Sequence, residues 1–285
     1  MFPLEEWFTL YLYQQDFIAK EQLAISPDDR GYYFGDGIYE VFRVYKGELF
    51  EADGHYRRLE LSSADTRIPL PYSIPELHAK LLELIHLNRL REGTVYMQVT
   101  RGIAPRSHPY PAKAEPVLMA YCNELKRPLQ TMQKGITAVT SADIRWLRCD
   151  LKTLNLLPNV MAKQQALDLG ANEVVWHRDR VVTECSASNF MIVRNGEIWT
   201  HPANHLILHG ITRDVVIRLA QKLHIQVHQA PFKIEEMMSA DEAFVTGTTV
   251  EVTPVISVDG VYIGQGELGP VTRRLQQAFE EYVGI

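Results

Sequence analysis

The sequence predicts a mixed α/β protein built as two domains, on three observations. Several runs alternate apolar and polar residues with the period of a strand, the segments between them carry helical spacing, and the pattern breaks once near the middle. EVFRVYKGELFEA and GTVYMQVTRG read as strands, with Lys46-Gly47 supplying a turn inside the first. His55 to Thr66 and Pro75 to Arg91 read as helices, the second because Leu77, Leu81, Leu84 and Ile85 recur on one face. From Glu124 to Gly135 the residues turn polar and are punctuated by Pro128 and Gly135. That break predicts an N-terminal α/β domain over 1–123, a linker over 124–134 and a C-terminal domain over 135–285.

The second half continues the alternation. A strand is expected near Ile136 to Thr140, followed by a helix from Pro158 to Leu169, where Pro158 suits a first turn. Hairpins are expected at Arg178-Asp179-Arg180 and at Asn195-Gly196, the second being the strongest short turn signal in the chain. A helix from Ile211 to His224, strands near Glu242 to Val245 and Val255 to Ile263, and a closing helix from Pro270 to Tyr282 complete the reading. No internal repeat points to a solenoid.

At 285 residues the chain can bury a sizeable core, which favours an enzyme over a small binding module. A hydrophobic share of 46% and a charged share of 22% are those of a soluble globular protein. The net charge of −6 leaves no basic excess, so no nucleic acid is expected as a partner. MFPLEEW carries acidic residues where a secretory signal needs basic ones, and export is not expected. The run from Leu81 to Leu87 contains Glu83 and His86 and falls short of the roughly 20 apolar residues a membrane span needs. Cys122, Cys149 and Cys185 form no CxxC pair and are odd in number, so they read as reduced thiols of a cytoplasmic protein.

Four places could carry chemistry, each with an ordinary alternative. Lys152 stands among Trp146, Leu147, Leu151, Leu154, Leu156 and Leu157; burial there would favour a free amine able to attack a carbonyl, whereas a strand-edge surface lysine needs no such role. Glu184 closes an expected strand in TECSASNFMIV, where it could pair with a cofactor's ring nitrogen or simply bond turn amides. Gly210 before Ile211-Thr212 opens a helix whose free N–H groups suit phosphate, though an ordinary helix start has the same letters. Thr246, Gly247, Thr248 and Thr249 form a hydroxyl-rich turn able to donate to phosphate. His201, His205 and His209 recur every four residues, but Pro202 and Gly210 frame them as a loop and no further cluster completes a site, so no metal is expected.

Taken in order, DDRGYYFGDGIYEVFRVY, HYRRL, VYMQVTRGIAPRSH, DIRWLRCDLKTLNLL, VTECSASN, THPANHLILHGITRDVV and FVTGTTVEVTPV resemble the class IV aminotransferases, and within them the bacterial D-amino acid branch, over nearly the whole chain. The resemblance implies a fold type IV enzyme: two mixed α/β domains with pyridoxal 5′-phosphate (PLP) in the cleft between them, working as a homodimer. Lys152 would bind the cofactor as an imine, Glu184 would pair with the pyridine nitrogen, and Leu208 would lie against the ring. Arg58, Ile211, Thr212 and Thr248 would hold the phosphate. Tyr39, Arg106 and His108 would trap the substrate α-carboxylate, the last two reaching over from the partner subunit, and the R-x-H spacing of PRSH marks the D-amino acid branch. Gly247 and Ala187 depart from the hydroxyl residues of that branch.

The reaction so implied is a ping-pong transamination of a D-amino acid such as D-alanine with 2-oxoglutarate, giving a 2-oxo acid and D-glutamate, with Lys152 carrying the proton. The alternatives are a branched-chain L-aminotransferase, an aminodeoxychorismate lyase of the same fold, and a PLP-binding protein without turnover.

Overall fold

The computed structural model describes residues 9–113 and 115–285, so MFPLEEW lies outside the described residues. The chain divides into two compact units. One comprises the residues up to Lys126 together with Lys152–Asn155; the other comprises Arg127–Leu151 and Leu156–Ile285.

In the first unit the elements run β1 (Leu10–Tyr13), β2 (Asp16–Ala19), α1 (Arg30–Phe34), β3 (Gly37–Tyr45), β4 (Glu48–Leu49), α2 (Ala52–Thr66), α3 (Ile74–Leu87), β5 (Gly93–Thr100) and β6 (Val117–Glu124). The six strands form one antiparallel sheet in the order β2-β1-β6-β5-β3-β4. Lys46 and Gly47 take left-handed conformations, φ 54° and 89°, and so make the turn between β3 and β4 that the sequence indicates. Ile38, Phe42 and Val44 point to one face of β3 and are fully buried with Leu59, Leu81 and Leu84 from α2 and α3. Each such side chain stabilises the unit by about 1.5–3 kcal/mol on burial. Glu40 stands on that same buried face, a carboxylate among apolar neighbours. Tyr39 faces the opposite way and begins a row of stacked rings that crosses four strands: Tyr39, Tyr96, Tyr121 and Tyr11, at centroid separations of 5.6, 5.1 and 5.1 Å.

The second unit contains α4 (Leu129–Lys134), β7 (Ile136–Ala142), α5 (Leu157–Asp168), β8 (Glu173–Arg178), β9 (Val181–Cys185), β10 (Asn189–Arg194), β11 (Glu197–Thr200), α6 (Ile211–Lys222), β12 (Val227–Gln229), α7 (Ile234–Met238), β13 (Glu242–Gly247), β14 (Glu251–Val258), β15 (Val261–Tyr262) and α8 (Pro270–Val283). Its mixed sheet has the order β12-β11-β10-β13-β14-β7-β8-β9, with β15 pairing β14. Phe190, Ile192, Phe232, Val245 and Val255 are buried in its core. Asp179-Arg180 and Asn195-Gly196 turn the two expected hairpins with both residues at positive φ. The expected single strand from Val255 to Ile263 is two strands, because Asp259 and Gly260, at φ 50° and 77°, fold the chain back. Among the described residues, no helix is long and apolar enough to cross a membrane.

Lys152 lies with the first unit, whereas the sequence boundary groups it with the second half. The reason is backbone pairing. Tyr39 N–H donates to the Lys152 carbonyl at 3.0 Å and Leu154 N–H donates to the Gly37 carbonyl at 3.0 Å, so the tetrapeptide runs along β3 like a short extra strand. Gly37 leaves the room this requires: a Cβ there would lie 2.6 Å from Leu154.

Candidate active site

The first unit holds Lys152, Arg58, Tyr39, Arg106 and His108. The apolar letters flanking Lys152 leave a buried and a surface lysine both open; Trp146, Leu147 and Leu157 are themselves 47%, 61% and 69% exposed, and Lys152 is half-buried. Its position comes from β3 instead, with Nζ 4.1 Å from the centroid of the Tyr39 ring. A hydrogen bond from its backbone N–H to Ser62 Oγ, 3.3 Å, ties it also to α2.

Arg58, one turn beyond His55 on α2, grips Glu40 with a two-pronged pair, Nε to Oε1 at 2.8 Å and Nη2 to Oε2 at 2.7 Å. His55 Nδ1 approaches the same carboxylate at 2.7 Å. Burial opposes the charge on Glu40, but Arg58 and His55 outweigh it and hold the carboxyl far below the usual range. Burial pushes the His55 imidazole down, partly offset by Glu40. Arg58 is thereby a fixed guanidinium whose orientation is set by a buried anion.

Arg106 and His108 sit on the exposed segment after β5. Both meet the ring of Phe34 in α1, Arg106 at 5.1 Å and His108 edge-on at 5.6 Å.

The second unit holds Glu184, Leu208, Ile211, Thr212 and Thr248. Glu184 ends β9 and is buried. It accepts from Arg145 Nη1 at 2.6 Å, from Asn189 Nδ2 at 3.0 Å, and from the Leu208 N–H, which lies 3.1 Å from both carboxylate oxygens. Burial pushes the Glu184 carboxyl up to about 7, against the lowering pull of Arg145. Arg145 is in turn paired with Asp143 at 2.9 Å and lies over the Trp176 ring at 4.0 Å. Asn189 links this cluster to the start of α6: its Nδ2 donates to the Leu208 carbonyl at 2.8 Å, and its Oδ1 would lie 1.9 Å from a Cβ at Gly210.

No side chain caps α6, so the N–H groups of Ile211 and Thr212 open it without a side-chain acceptor. Asn189 pairs with Thr246 across β10 and β13. The buried hydroxyls of Ser188 and Thr246 have no hydrogen-bond partner, which is costly unless a ligand supplies acceptors. At Gly247 a Cβ would meet Val250 at 3.2 Å and Ser188 at 3.4 Å, so glycine keeps that turn open.

The family model for amino-transferase class IV matches residues 37–258. The chain belongs to this family. It is 43% identical over 269 residues to a D-alanine aminotransferase of Staphylococcus haemolyticus, covering 94% of this chain and 95% of that one. It is 45% identical over 269 residues to a D-alanine aminotransferase of Listeria monocytogenes serotype 4b, covering 93% of each. Among solved structures, the branched-chain amino acid aminotransferase from Escherichia coli superposes with a TM-score of 0.87 at 27% identity, over 95% of this chain and 93% of that one. The Thermobaculum terrenum branched-chain enzyme in its PLP form gives 0.86 at 26%, over 98% and 95%.

For a class IV aminotransferase chain, several of these groups escape a reading of motifs. Arg145 and Glu40 acquire their importance from buried partners far off in sequence, Glu184 and Arg58, and Asn189 and Ser188 carry no motif of their own. One signal was available: Glu40 sits where alternation along β3 demands an apolar residue. The three histidines of the 201–209 loop do not converge. His201 and His209 bond the carbonyls of Pro202 and Asn204.

Proposed function

We infer that this class IV aminotransferase uses PLP to transaminate D-amino acids, D-alanine among them, with 2-oxoglutarate in a ping-pong cycle. It acts as a homodimer in the cytoplasm. The observation carrying this reading is Lys152, held by backbone bonds along β3 with its amine over Tyr39, in a chain 43% identical to a D-alanine aminotransferase.

The residues suit that group. Lys152 Nζ would hold the cofactor through its aldehyde, and the buried Glu184 would pair with its ring nitrogen. Arg58, the Ile211 and Thr212 N–H groups and Thr248 hold its phosphate, for which the orphaned Ser188 and Thr246 hydroxyls supply further donors. The cofactor, when bound, supplies a sink for the electrons left on the substrate Cα. Glu184 keeps the ring nitrogen hydrogen-bonded, and Arg145, Asn189 and the Leu208 N–H hold that carboxylate in place. As a free amine, Lys152 Nζ would serve as the base that takes the proton from the substrate Cα and carries it across the reacting face, a role that contributes about 10²–10⁴ in rate when well positioned. Arg106 and His108, from the partner subunit, and Tyr39 grip the α-carboxylate and so decide which enantiomer turns its Cα proton towards that amine.

The test is the visible spectrum of the purified protein on adding L-alanine and then D-alanine. Bleaching of the cofactor band by the D-form alone, with pyruvate formed when 2-oxoglutarate is present, is the expected result. The fold likeness to branched-chain enzymes supports the second reading, an L-specific transaminase. Reaction with L-leucine and none with D-alanine would establish it instead.

A further inference from the structure

The segment carrying Arg106 and His108 is exposed, yet a buried arginine ties it to the unit from behind. Arg30, the first residue of α1, is only 3% exposed. Its Nη1 donates to the Ser107 carbonyl at 2.5 Å and its Nη2 to the His108 carbonyl at 3.2 Å. The remaining edge donates from Nε to Asp36 at 2.8 Å. Asp36 is itself fixed by Arg101, which donates to both carboxylate oxygens at 2.8 and 2.9 Å and to the Arg67 and Thr66 carbonyls. The Arg30 guanidinium also lies 4.9 Å from the Phe34 ring, the ring that Arg106 and His108 contact.

Backbone bonds close the same clasp. Arg30 N–H donates to the Gly102 carbonyl at 3.0 Å, and Ala104 N–H donates to Asp28 at 3.1 Å. Gly102, at φ 102°, is where the chain leaves β5; a Cβ there would meet the Glu115 carbonyl at 1.9 Å. A planar guanidinium can hold two adjacent carbonyls and a carboxylate at once, whereas an ammonium on a flexible stem cannot fix three directions.

We propose that Arg30 is a positioning residue for substrate recognition: by holding the Ser107 and His108 carbonyls it sets the direction in which the Arg106 and His108 side chains are presented. This rests on the reading that Arg106 and His108 grip the substrate carboxylate. Charge at Arg30 is not what the substrate meets; geometry passed through the backbone is, and small displacements of such groups cost large factors in rate and binding.

The experiment compares R30Q, R30K, R106Q and the double variant R30Q/R106Q in the PLP-loaded enzyme. KM and kcat for D-alanine, the D-to-L preference, the cofactor band and the melting temperature are measured for each. Arg30→Gln leaves Asp36 paired with Arg101, so no buried carboxylate is stranded. The expected result is a KM for D-alanine raised about tenfold, with kcat within about threefold, a matching fall in D-to-L preference and an unchanged cofactor band. Arg30→Lys, which keeps the cation beside Asp36, shows the same rise, and it decides the matter should Arg30→Gln not fold. In the double variant the two losses are less than additive, because Arg30 acts through Arg106 and through His108, and only the His108 part remains once Arg106 is replaced. If Arg106→Gln raises KM while neither Arg30 variant does, or if the two effects add, the proposal is wrong and the carboxylate reading stands. If Arg106→Gln leaves KM unchanged, the carboxylate reading has failed and the proposal with it.

Discussion

Lys152 and Tyr39 are joined twice: the Tyr39 N–H donates to the Lys152 carbonyl at 3.0 Å, and the lysine Nζ lies 4.1 Å from the centroid of the tyrosine ring. The first contact fixes the backbone and the second aims the amine. Replacing Lys152 by Ala should therefore leave the β3 pairing intact while removing the proposed proton carrier. Turnover of D-alanine should fall by about 10²–10⁴-fold or more, with melting temperature little changed. Single-turnover absorbance measurements check this; near-wild-type turnover in Lys152→Ala would rule out its role.

Glu184 leads to a pH effect on stability. Burial raises its folded carboxyl to about 7 from an ordinary value near 4.5. The unfolded chain therefore releases this proton at lower pH than the folded chain does. The contribution is absent below about pH 4.5 and grows as a penalty to the fold up to about pH 7, where it levels off. At 1.36 kcal/mol per pH unit, that is about 3 kcal/mol in the cofactor-free protein. Urea unfolding at pH 5 and pH 8 should show wild type losing more stability than Glu184→Gln over that interval. Parallel losses in the two proteins would contradict it.

Glu40 behaves in the opposite sense. Its folded carboxyl is depressed, so its contribution is full above the unfolded value and is lost as pH falls below it. Glu40→Gln leaves the buried Arg58 guanidinium without its anion and should cost about 3–5 kcal/mol. Because the same arginine is proposed to hold phosphate, the apparent Kd for PLP should rise as well. Thermal unfolding and a PLP titration measure the two effects separately.

The cysteines offer a simple check on burial. Cys122 and Cys149 are pushed up by burial to about 12 and about 11, and Cys185 well above its usual value. All three are buried and free. A thiol reagent at pH 8 should react slowly with the native protein and with three equivalents once it is denatured. Rapid modification of the native protein would show that these thiols open to solvent.

Local signals determined much of this protein. Lys46-Gly47, Asn195-Gly196 and Pro158 announced their turns and helix start because the relevant physics, left-handed φ or a fixed φ, belongs to one or two residues. Alternation in β3 and helical spacing in α3 worked for the same reason. Ordered motifs also carried the family. Tertiary structure decided what depends on partners distant in the chain: that Lys152 is positioned by β3 and not by its leucine neighbours, that Glu40 is buried as the anchor of Arg58, and that Arg145 holds Glu184. A buried charge is tolerable only where its counter-charge arrives, and that arrival is a property of the fold, settled by strand order and helix packing across tens of residues. Letters nearby in sequence carry no record of it.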